Sequence, residues 1–154
     1  MTTTYGTSSS SAAAIGTRIV LTLVGAAGLI VGAFMDWTRS IPGTKLDVQA
    51  FWTTDFRSTE TFVRTAGFAM IVVGLVAVIG LAMGTGWLTR LAGAVAVVGF
   101  VLFAIEVYRS SADDMIETGA WLVLAGGIVT LIAGFVGPRH PVVTPATNTV
   151  IVDE

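Results

Sequence analysis

The stretch 88–108, LTRLAGAVAVVGFVLFAIEVY, is an apolar run of about 20 residues, the length a helix needs to cross the hydrocarbon core of a bilayer. Three runs of similar length accompany it, at about 19–35, 62–83 and 118–136. Each rises roughly 30 Å as a helix. Lipid offers no partner to a backbone amide or carbonyl, so such runs form helices, and their glycines are tolerated there. None of the four has the polar outer face that a helix of a soluble core requires. The predicted fold is therefore all-α: an integral membrane four-helix bundle with one longer loop, 36–61, between helices 1 and 2.

Composition agrees, since 54% of residues are hydrophobic and 12% charged, a balance that would hardly keep a soluble domain of this size in solution. The net charge of −2, with no cluster of Lys or Arg, excludes a nucleic-acid footprint and a polybasic surface patch. There are no cysteines, which removes disulfides, thiolate nucleophiles and sulfur-ligated metals together.

The membrane domain is expected over 15–137, between a small polar tail, 1–14, and a Pro/Thr-rich tail, 138–154, both read as disordered. A signal peptide is the competing reading of the first run. The preceding region carries little positive charge, and the run ends in Asp36-Trp37 without a small-x-small cleavage site, so a retained span is expected. The connection 84–87 is so short that the second and third helices must be antiparallel neighbours. In the long loop, Pro42-Gly43 signals a turn, and Leu46, Val48, Ala50 and Trp52 alternate as in a short strand or interfacial flap.

Orientation is less constrained by the charges. Arg18, Arg90 and Arg139 flank the side bearing the termini, and Arg39, Lys45, Arg57, Arg64 and Arg109 the loop side. A plain positive-inside count favours cytoplasmic loops, yet Asp36, Glu60 and Asp113 offset three of those cations.

Small residues at helical spacing point to close helix contacts. Gly28 and Gly32 form a GxxxG pair in the first span, and Gly119, Gly126, Gly127 and Gly134 recur in the fourth at close to two helical turns. This seam is expected to serve packing within the chain, with self-association or a partner subunit as the alternative. In the third span Ala92, Ala96, Gly99, Phe103 and Glu106 share a stripe, which turns Glu106 toward other helices. A structural ion pair with Arg109, one turn along, or with Arg64, at the same end of the neighbouring helix, is the expected role. The sharper alternative is a proton or cation site, but no second acid or histidine lies nearby within the spans.

Trp37, Trp87 and Trp121 stand at span ends, where indoles anchor in the headgroup region. Phe51, Trp52 and Phe56 form an aromatic cluster suited to packing on the helices, resting on the bilayer or meeting a partner. Asp113, Asp114 and Glu117 lack the turn glycine of a calcium loop, and His140 stands alone in a tail. No general base, activated nucleophile or phosphate-cradling loop is apparent, so neither an enzyme nor a cofactor is expected.

The segments GLIVGAFMDW and ETGAWLVLAGGIVTLIAGFV resemble small four-helix membrane proteins of actinobacteria, in which a first helix ends near a tryptophan and the last is glycine-rich. That resemblance implies four spans, a plasma-membrane location and cytoplasmic termini; it implies no activity. The expectation is a non-enzymatic structural or accessory subunit acting through helix packing and the 36–61 loop, with a membrane-protein partner or a second copy. The alternative is a small transporter or channel component with Glu106 as its ion site.

Overall fold

Apolar runs become helices here, and polar side chains decide where they start. In the computed structural model four α-helices dominate: α1 (Ser8–Phe34), α2 (Ala66–Ala82), α3 (Gly86–Arg109) and α4 (Thr118–Phe135). The structure describes residues 8–110 and 115–136, with side chains from residue 12 onward. Residues 1–7 of the expected tail 1–14, the whole tail 138–154, and Asp113, Asp114, Arg139 and His140 lie outside the described residues.

Two expected boundaries move. α1 begins at Ser8, inside the segment read as a disordered tail. Its Ser-Ala run continues a helix already nucleated by the apolar stretch, and Ala is the best helix former. α2 begins at Ala66 rather than at 62, because the Thr65 hydroxyl accepts from the Phe68 amide at 3.1 Å and caps the first turn there. Phe62–Arg64 is left as a single 3-10 turn.

Ala12–Phe34, Gly86–Arg109 and Thr118–Phe135 are long and apolar enough to cross a membrane, whereas α2 is apolar but shorter at 17 residues. The outward positions are apolar too: Val20, Val24, Leu75, Ile79, Val98, Ile105 and Ile132 are all exposed. Apolar outside and inside, the helices have the character of a membrane protein.

The main helix contacts join α1 to α4, α4 to α3, α3 to α2 and α2 back to α1. Glycines set the closest of them. A Cβ added at Gly126 would stand 2.7 Å from the Gly25 carbonyl oxygen and 2.8 Å from the Leu29 nitrogen, so α1 and α4 touch backbone to backbone. Gly93 meets Leu131 as closely, which brings α3 against the other flank of α4. The connection between α2 and α3 closes as the expected tight turn. Gly84 adopts φ +69°, its amide bonds to the Leu81 carbonyl, and the Thr85 amide bonds to that of Gly80, the pairing of a Schellman cap.

The long loop folds differently from the expected strand at 46–52. Its strands are β1 (Asp36–Thr38) and β2 (Ile41–Pro42), an antiparallel pair turned at Arg39 and Ser40. Both turn residues have positive φ, 50° and 55°, the left-handed conformation that a tight two-residue hairpin demands. The alternating stretch instead forms a 3-10 turn, Val48–Phe51, because the Asp47 carboxylate accepts from the Gln49 amide at 3.0 Å. That local bond offers the backbone an alternative to a sheet ladder.

Candidate functional site

The functional candidates gather at the loop end of the helices. Leu46 and Ala50 are fully buried, and Phe51 and Phe56 nearly so, which makes the 36–61 segment a packed cover and not a free flap. Trp37 organises it. Its ring lies edge-on to Phe103 of α3 at 5.2 Å and tilted to Phe51 at 6.2 Å, while Phe56 meets Phe103 at 5.9 Å. Aromatic pairs in these geometries each add about 0.5–1.5 kcal/mol beyond the area they bury.

Trp37 corrects the expectation of an interfacial anchor. It is 1% exposed, and its indole N–H donates to the Gly32 carbonyl at 2.9 Å. An indole placed that deeply needs an acceptor, and the last turn of α1 supplies it. Trp87 and Trp121 are exposed as expected of span-end tryptophans.

Glu106 is buried on the inner stripe of α3 with Ala92, Ala96 and Phe103. Gly99, read onto the same stripe, is only partly buried and faces Met70 of α2. Arg109 reaches back one turn, its Nη1 donating to Glu106 Oε1 at 3.4 Å. The guanidinium side of the pair is 69% exposed. The second expected cation, Arg64, is not brought to Glu106: it is exposed in the turn ahead of α2, and the Thr65 cap starts the helix too late to carry it inward. Among the described residues, no three His, Asp or Glu side chains converge as a metal site.

The glycine seam divides between two neighbours instead of presenting one face. Gly28 and Gly32 of α1 oppose Gly126 and Gly119 of α4, whereas Gly127 faces Ala96 of α3 and Gly134 faces Arg90 and Gly86. Arg90 also closes the end of α4: its Nε donates to the Gly134 carbonyl at 2.7 Å and its guanidinium stacks on Phe135 at 4.3 Å. The seam is thus consumed inside the chain.

Trp52 stands apart from the other loop aromatics at 59% exposure. Beside it, Val48 and Phe51 roof an apolar groove of about 430 Å³ between α2 and α3, floored by Met70, Val73, Val98 and Leu102. The groove opens outward and has no polar lining, so it offers shape and apolar surface but no chemistry. Sequence reading found the three loop aromatics; which of them turns out and which turns in depends on the Asp47 cap. No protein-family model, curated protein or solved structure matches this chain.

Proposed function

We propose that the chain is a non-enzymatic integral membrane protein, a bundle of four antiparallel transmembrane helices acting as a structural or accessory subunit of a plasma-membrane complex. In this reading α2 crosses alongside the three longer helices, the termini are cytoplasmic and the 36–61 cover faces outward. The observation that carries it is the contrast between a closed interior and an open outer surface. Leu29, Ala33, Ala96, Phe103 and Val123 are fully buried between the helices, and Trp37, Phe51 and Phe56 cover their loop end. The exposed Trp52 stands beside an outward-opening groove with apolar lining, a surface suited to an apolar partner.

The test is a pull-down from native membranes in mild detergent. A stoichiometric membrane-protein partner is expected, and it should be lost when Trp52→Ala is introduced while expression and monodispersity stay unchanged. The transporter reading rests on the burial of Glu106. Purified protein that acts without a partner and loses a reconstituted proton or cation flux on Glu106→Gln would establish that alternative instead.

A further inference from the structure

At the opposite end from the loop cover, Arg18 is the one basic residue of the apolar part of α1, and it is 9% exposed. A guanidinium carries five N–H donors and no acceptor, and each needs a partner once it is out of water. Arg18 has found one. Its Nη1 donates to the Gly84 carbonyl at 3.1 Å, on the left-handed turn that ends α2. Its Nε and Nη2 are buried and have no partner among the described residues. A buried cation left with most of its donors unused is costly, and such residues in apolar helices commonly pair with an anion.

The surroundings supply a place for one. Among the described residues, Arg18 is the only charged wall of a cavity of about 500 Å³, lined otherwise by Ile15, Ile19, Leu81, Ala82 and Gly84. No described carboxylate lines it. The cavity therefore joins a forked cation to apolar walls contributed by two helices, and the buried Nε and Nη2 must turn toward it for a ligand there to take them as a pair. A forked pair of N–H groups matches two oxygens of one phosphate. A freely soluble anion has no use for the isoleucine and leucine walls, whereas an acyl chain does.

We propose that this cavity binds the phosphate of an anionic glycerophospholipid, with Arg18 as its ligand and with Ile19 and Leu81 against the first part of an acyl chain. The inference rests on the membrane reading above, and resistance of the protein to alkaline extraction from membranes tests that reading separately. The probes are phosphatidylglycerol, phosphatidylcholine and inorganic phosphate, added to the full-length protein in a neutral detergent, with binding read by native mass spectrometry and by thermal shift.

Phosphatidylglycerol should bind about tenfold more tightly than phosphatidylcholine, whose choline cation would stand beside the guanidinium, and Arg18→Gln should remove that preference. Arg90→Gln, at an arginine already committed to Gly134 and Phe135, should leave it within about twofold. Should Arg18→Gln not yield folded protein, Arg18→Lys keeps the charge without the fork and should still weaken the preference severalfold. Equal binding of the two lipids, or a preference untouched by either Arg18 substitution, overturns the proposal. Inorganic phosphate at millimolar concentration matching phosphatidylglycerol in the thermal shift overturns it also, in favour of a free-anion site.

Discussion

Placing a methyl group at Gly126 tests the backbone contact between the first and last helices most directly. The added Cβ would stand 2.7 Å from the Gly25 carbonyl oxygen, 2.8 Å from the Leu29 nitrogen and 3.0 Å from the Gly28 carbonyl carbon. All three are backbone atoms, so no side chain can rotate away. Restoring an ordinary separation of about 3.5 Å requires the helices to part by about 0.8 Å, a gap that forfeits a quarter to a half of the dispersion attraction along the contact. Overpacking of this kind costs about 1–3 kcal/mol, partly offset by up to about 1 kcal/mol because Ala favours a helix over Gly. A net loss of roughly 1–2 kcal/mol is expected for Gly126→Ala, and more for Gly126→Leu, whose larger side chain the contact cannot admit. Gly16→Ala is the matched control, since its Cβ would meet nothing within 4 Å, and it should be neutral or stabilising. The assay is reversible unfolding of the detergent-solubilised protein by increasing denaturing detergent, followed by circular dichroism. Gly25→Ala attacks the same contact from the other side, so the double variant should cost less than the two singles together, the first having already separated the helices. Gly126→Ala indistinguishable from Gly16→Ala would refute the reasoning.

Trp37→Ala removes the indole at the centre of the loop cover and its bond to Gly32, and should destabilise by about 3–5 kcal/mol in the same assay. Thr22, Thr89 and Thr130 bury hydroxyls that have no partner among the described residues, so Thr→Val at each should be neutral or stabilising by up to about 1 kcal/mol. Glu106→Gln should cost less than about 1 kcal/mol, because its partner Arg109 is largely in solvent and the contact is long. The cysteine-free chain also allows orientation to be read by single cysteines: the orientation proposed above requires Thr53→Cys to react with an impermeant maleimide from outside intact cells and Arg139→Cys only after permeabilisation, and the reverse pattern would overturn it.

The four helices and their order were legible because an apolar run must satisfy its own backbone groups, but the span length expected of all four is reached by three, α2 stopping at 17 residues. The inward direction of Glu106 was legible from spacing alone, as was the tight turn at Gly84. Starts were not, because the Thr65 hydroxyl, not the edge of the hydrophobic run, fixes where α2 begins. The period-2 pattern of 46–52 was overruled by a single carboxylate, Asp47, accepting from the Gln49 amide two residues on. The glycines of α4 announced close contact but not with which helix, since Gly126 and Gly127 are adjacent in sequence yet face different neighbours. Trp37 was the hardest to foresee. A tryptophan at the end of a span is expected at the headgroups, and only the folded cover above it makes its position interior.

Among the described elements, the most extensive contact joins α1 to α4. During synthesis α1 must therefore wait, its Gly25, Gly28 and Gly32 surface bare, until three later segments have been made and α4 arrives to fill it. The Glu117 amide then bonds to the Trp37 carbonyl at 2.8 Å, and the Glu117 carboxylate takes the Ser40 amide at 2.9 Å, so the residue that starts α4 also fastens the hairpin leaving α1. A chain interrupted before residue 118 would lack the helix that covers Gly25, Gly28 and Gly32, and would leave that face of α1 bare.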